Sequence, residues 1–130
     1  MTSRLAQLTL DVVDVDRMAT FWSEALGYRS VPDEGRSIHL VPADDARGDL
    51  PTMWLQPVSD RKGGKNRCHP DLESDEPADE VERLVALGAT RADVGQTGEE
   101  GFVVLADPEG NEFCVLGAHA SITDRPVLLG

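Results

Sequence analysis

The sequence predicts an α+β fold in which one unit, a strand followed by a helix and three more strands, occurs twice. Two observations carry this. Short β-rich runs alternate apolar and polar residues, and between them the apolar residues twice switch to helical spacing. The two halves also compare in detail. Gln7 lies twenty residues before Gly27 and His69 nineteen before Gly88, and FWSEALGYR (21–29) matches ERLVALGATR (82–91) in position and character. Each half alone would expose one sheet face, so the two must pack together or against a partner chain.

The elements follow in order. Residues 5–13 (LAQLTLDVV) alternate and are rich in β formers, so they predict a strand. Asp14 or Asp16 can cap the helix that follows. Met18, Phe21, Trp22, Ala25 and Leu26 recur at helical spacing, and Gly27 stands where a helix-ending glycine belongs. Strands are expected at 28–31, 37–42 and 51–57, with a polar loop over 43–49. The glycine-bearing basic stretch 58–66 (VSDRKGGKN) reads as a linker between half-domains. The pattern then restarts with a strand over 67–73. Pro77 suits the first turn of a second helix, whose stripe is Val81, Leu84, Val85 and Leu87 and which Gly88 ends. Strands are expected at 89–94, 101–106 and 112–116; the residues from Ala118 read as a tail that packs on a neighbour.

The bulk numbers agree with one domain. The chain has 130 residues, of which 40% are hydrophobic and 28% charged, enough apolar content for a packed core. The net charge of −12 repels phosphate backbones and argues against a nucleic-acid partner. MTSRLAQLTLDVV has none of the marks of a signal peptide, and no apolar run is long enough to span a bilayer, so the expectation is a cytoplasmic protein with no membrane partner. Cys68 and Cys114 have no CxxC spacing and read as free thiols, both in strands, acting as small buried hydrophobes.

Three segments carry a resemblance: DVDRMATFWSEALGY, KNRCHPDL and LADPEGNEFCVL. In this order and spacing they resemble the first helix, a glyoxalase-like feature and the final hairpin of the vicinal-oxygen-chelate superfamily. That superfamily includes glyoxalases, extradiol dioxygenases, epimerases, fosfomycin-inactivating enzymes and metal-free drug-binding proteins of the bleomycin-resistance type. The resemblance covers about residues 5–116. It implies two βαβββ modules (about 5–57 and 67–116) in a cupped, open mixed β-barrel around a small-molecule cavity, and pairing in a homodimer. Fold says little about chemistry in such a group, so the site must decide.

In enzyme members, the first and last strands of each module together supply four ligands to a divalent metal. Carried over, these positions are Gln7, a residue near Trp54, His69 and Cys114. Gln56 lies on Trp54's face two residues on. Such a set suits magnesium, manganese or nickel poorly; zinc could use His69 and Cys114, with Gln7 as a weak third. No carboxylate stands where base work would need one, although alternation puts Glu112 on Cys114's face. The reading is therefore no catalytic metal. Asp71 shares a face with His69 and could orient its imidazole, so His69 and Asp71 are candidate catalytic groups if the chain is an enzyme. Trp54, Gln56, His39 and Trp22 are candidates for the ligand pocket, Trp54 as a stacking wall. Against these stand plainer roles: a hydrogen-bonded His69, a rim Asp71, and Trp22 in the helix–sheet core. There is no GxSxG elbow, GxGxxG or P-loop. Two functions compete: a protein that binds a small aromatic or planar molecule without metal, and a metal-dependent lyase, isomerase or dioxygenase of the glyoxalase type. The first is preferred.

Overall fold

A computed structural model of the chain describes residues 2–44, 50–92 and 101–117. They divide into two compact units with the boundary between Gly63 and Gly64.

In the first unit, β1 (Gln7–Val12) leads into α1 (Val15–Leu26), then β2 (Arg29–Pro32), β3 (Ile38–Val41) and β4 (Thr52–Pro57). The sheet order is β1-β4-β3-β2, with β1 parallel to β4 and the other neighbours antiparallel. The parallel pair is possible because the helix and two strands intervene, long enough to carry the chain back to the same end of the sheet. Asp14 caps α1, its carboxylate accepting from the Arg17 N–H at 3.1 Å, and Gly27 closes it at φ 69°. Of the two aspartates the sequence offers, Asp14 does the capping. The helix contacts β3 and β4. Alternation then separates the sheet's faces. Leu40, Met53 and Leu55 are buried with Val12, Met18, Phe21 and Trp22. Thr9, Asp11 and Gln56 are exposed, and Gln7, Thr52, Trp54 and His39 are half-buried. The polar residues of β1 and β4 thus occupy the face away from the helix.

The second unit repeats the plan: β5 (Asp71–Leu72), α2 (Pro77–Leu87), β6 (Thr90–Arg91), β7 (Phe102–Ala106) and β8 (Glu112–Leu116), in the order β5-β8-β7-β6. Again the first strand is parallel to the last. The helices differ by one residue, twelve against eleven, which absorbs the difference in spacing seen in the sequence. The strand expected over 67–73 shrinks to Asp71–Leu72, because only these two residues pair with β8. Cys68 therefore lies outside any strand and is exposed, contrary to expectation, whereas Cys114 is buried in β8 as expected. On α2 only Val81 and Leu84 are buried; Val85 is 42% exposed, so the apolar stripe is narrower than the sequence suggests. The strand expected over 89–94 is Thr90–Arg91, with 93–94 outside the described residues. The expected tail from Ala118 also lies outside them, as does most of the loop expected over 43–49.

Both sheets are open rather than closed into a barrel. The fold is the α+β, two-module arrangement that the sequence predicts.

Candidate functional site

In the first unit, the sheet face away from α1 collects the candidates. Gln7 pairs in register with Thr52, Thr9 with Trp54, and Trp54 with His39 on its other side. The Thr52 hydroxyl donates to Gln7 Oε1 at 3.1 Å. The His39 ring lies 5.4 Å from the Trp54 ring, tilted by 36°. Trp54 Nε1 is shielded from solvent and, among the described residues, has no hydrogen-bond partner. A buried N–H without an acceptor costs about 1–3 kcal/mol, so it marks a place where a partner is missing.

His39 is held from behind. Its Nε2 lies 3.0 Å from Asp33 Oδ2. Asp33 begins the β2–β3 connection, and its other carboxylate oxygen accepts from the Glu34 N–H at 2.7 Å. The Asp33 N–H donates to the Ser37 carbonyl at 3.0 Å, and the Ser37 hydroxyl donates to the Glu34 carbonyl at 3.1 Å. Gly35 and Arg36 both adopt positive φ, 70° and 72°, to make this turn. Asp33 and its contact with His39 escaped the sequence reading. An Asp six residues before a His across a Gly-containing turn is the signal that could have found it. Gln56 shares this face but is exposed. Trp22 does not share it: it is 1% exposed on α1, edge-to-face with Phe21 at 5.2 Å.

In the second unit, Asp71 pairs in register with Cys114, and the Cys114 N–H donates to the Pro70 carbonyl at 2.9 Å. Burial first, then the charge of Asp71 and a hydrogen bond to it, push the Cys114 thiol up to about 11 from its ordinary 9.0. His69 Nε2 is buried and, among the described residues, has no partner. Among the described residues no hydrogen bond joins His69 to Asp71; Asp71 stands across the ladder from Cys114. Residues before His69 are tied to the final hairpin. The Asn66 N–H donates to Glu112 Oε2 at 3.1 Å, and Asn66 Nδ2 donates to Asn111 Oδ1 at 2.8 Å. Asn111 in turn gives both Asp107 carboxylate oxygens a hydrogen bond from Nδ2, at 3.1 and 3.0 Å. Gly110, at φ 88°, lets the DPEGN turn close. Glu112 is 8% exposed and committed to Asn66.

The register of β4, which the sequence leaves open, now follows from the duplication. Trp54 is the third residue of β4 and pairs with Thr9, two after Gln7; Cys114 is the third residue of β8 and pairs with Asp71, two after His69. Trp54 and Cys114 are therefore equivalent positions, as are Gln7 and His69.

The family model for the glyoxalase-like domain matches residues 7–116. The chain belongs to this glyoxalase-like family of the vicinal-oxygen-chelate superfamily. Comparison with curated proteins gives no match. Solved structures with the same fold include the fosfomycin resistance protein FosX from Listeria monocytogenes, at 17% identity and TM-score 0.71, covering 97% of this chain and 100% of that one. A mutant of that protein, complexed with Mn(II) and 1S,2S-dihydroxypropylphosphonic acid, gives 18% identity and TM-score 0.70, covering 92% of this chain and 94% of that one. A glyoxalase/bleomycin resistance protein/dioxygenase family enzyme from Burkholderia phytofirmans PsJN gives 15% identity and TM-score 0.68, covering 88% of this chain and 98% of that one. At these identities the likeness is one of fold.

The superfamily's metal can be tested against the four positions. Gln7 offers an amide oxygen and His69 an imidazole nitrogen. The Trp54 indole has no lone pair to give. Cys114 offers a sulfur that would bind a metal only on losing its proton. Among the described residues there is no group of three or more His, Cys, Asp or Glu that could hold an ion. The donor set does not fit a four-ligand metal site.

Proposed function

We propose that this protein binds a small planar or aromatic molecule against the Trp54 face of its first module, without a catalytic metal. The observation that carries the reading is Trp54 itself. An indole stands at the position equivalent to Cys114, where the superfamily's enzymes place a metal ligand, and its N–H is buried without an acceptor. Apolar walls with a few placed polar groups are what small-molecule sites use, and an indole supplies both in one side chain. Gln7, His39 and Gln56 complete the polar fringe. Trp22 is left out, since its burial on α1 suits the core. We read the chain as one domain of two modules joined near 58–66, acting in the cytoplasm as a homodimer. Among the described residues no helix is long and apolar enough to cross a membrane.

Equilibrium dialysis with ethylnaphthalene tests the reading. The probe should bind saturably and quench tryptophan emission, and Trp54→Ala should lose the binding while keeping the fold. Unchanged affinity in Trp54→Ala would rule the site out.

One observation favours a second reading, a metal-dependent glyoxalase-type enzyme: His69 Nε2, like a ligand without its ion, is buried and unpartnered. Elemental mass spectrometry of protein purified without chelator or affinity metal separates the two. Near one equivalent of zinc, manganese, nickel or iron, lost in His69→Ala, would revive the enzyme reading, which also requires an activity lost on chelation.

A further inference from the structure

The Trp54 face offers more than an apolar wall. The Asp33 carboxylate can only accept a hydrogen bond, so at 3.0 Å the Nε2 of His39 must carry the hydrogen. In the neutral imidazole the lone pair then sits on Nδ1. Among the described residues no hydrogen bond or ion pair to His39 Nδ1 is formed, and the side chain is 31% exposed, so Nδ1 is open to solvent or to a ligand. Beside it, 5.4 Å away between ring centroids, stands the indole whose N–H has no acceptor. A buried donor without an acceptor and an acceptor with no protein partner among the described residues therefore sit on adjacent side chains of paired strands. Neither orientation is accidental. His39 is anchored through Asp33 by a turn that holds two residues at positive φ, and Trp54 is fixed on the central strand of the sheet, between β1 and β3.

We infer that the ligand is a planar ring bearing two neighbouring polar groups: a carbonyl-type oxygen that accepts from Trp54 Nε1, and an O–H or N–H that donates to His39 Nδ1. This rests on the proposed binding function and narrows it to a hydroxylated aryl ketone, an enolic ketone or a lactam-like heteroaromatic. A ligand of this kind gives the buried N–H its missing acceptor. A ring of the same size without oxygen leaves the buried N–H unpaired, and a buried donor left unpaired discriminates strongly against such analogues.

Paired probes test each half on the wild-type protein. Acetylnaphthalene and ethylnaphthalene have nearly the same shape and differ in the oxygen. By equilibrium dialysis the ketone should bind about tenfold tighter or more, the size expected for satisfying a buried donor. Trp54→Phe keeps an aromatic ring and removes the N–H, so it should erase the preference for ketone over hydrocarbon, whatever it does to the affinity for both. Naphthol should bind tighter than naphthalene, and His39→Phe should abolish the difference, with Asp33→Asn reducing it. Equal affinity for ketone and hydrocarbon would overturn the donor half, and a naphthol preference surviving in His39→Phe would overturn the acceptor half. In either case the binding function stands, because ethylnaphthalene still binds through Trp54. Absence of any probe binding, or indifference to Trp54→Ala, would remove the function and the inference together.

Discussion

At the third residue of its last strand the first module carries Trp54, and the second carries Cys114. Everything around these positions is shared: strand order, parallel pairing of first with last strand, and a partner two residues after Gln7 or His69. The partners differ. Thr9 is small and exposed beside Trp54, whereas Asp71 engages the Cys114 thiol. One scaffold thus yields an aromatic surface with unused hydrogen-bonding capacity in one copy and a self-satisfied thiol–carboxylate pair in the other. Duplication fixes where side chains stand; the residue type at each station decides whether it faces a ligand or its own neighbour.

The two tryptophans give the sharpest way to break this comparison. Trp22 is fully buried between α1 and the sheet, so Trp22→Ala should cost about 3–5 kcal/mol in urea unfolding. Trp54→Ala should cost about 1 kcal/mol or less, because lost contact area is offset by removing a buried N–H that has no acceptor. Equal losses would mean that Trp54 is core and would undo the distinction between the two faces.

The turns of the two modules come next. Asp107 is 3% exposed, and its carboxylate accepts from the backbone N–H groups of Glu109 and Asn111, at 2.9 and 3.0 Å, as well as from the Asn111 side chain. Asp107→Ala strands these donors and should cost about 2–3 kcal/mol. Asp33, in the β2–β3 turn of the first module, is half exposed, so Asp33→Ala should cost under about 1 kcal/mol. It should still alter the affinity of hydroxyl-bearing ligands. Urea melts of the two variants side by side check the ranking.

The sequence exposes the architecture because periodicity, capping residues and glycines are local signals, and their repetition fixes the topology. DPEGN also reads correctly as a hairpin turn, since Asp107 and Asn111 satisfy each other within five residues. The site is less legible. His69 and Asp71 share a face by simple alternation, yet β5 is two residues long and Asp71 finds its partner across the ladder in Cys114. Cross-strand partners depend on register, and register is a property of two strands at once. Trp54's place needed the same knowledge. His39–Asp33 was missed because the pairing depends on a turn bent through Gly35 and Arg36, and positive φ at an arginine is not announced by the residue type.

The thiols give the smallest effect and the finest distinction. Cys68 is exposed and Cys114 is buried beside Asp71. At pH 8 iodoacetamide should label Cys68 and leave Cys114 nearly untouched, since alkylation needs the thiolate. The linkage has a definite sign. Cys114 keeps its proton in the folded state up to about pH 11, while the unfolded chain releases it near 9.0. Above pH 9.0 the unfolded state therefore binds fewer protons, and stability contributed by this group falls until the folded thiol also ionises at about 11. Asp71→Asn removes the charge and weakens the hydrogen bond, so it should speed Cys114 labelling and flatten the alkaline loss, measured by urea melts at pH 8 and pH 10. Labelling of both cysteines at one rate in the wild type would mean that neither burial nor Asp71 guards Cys114, and that the second module leaves its thiol open to reagents.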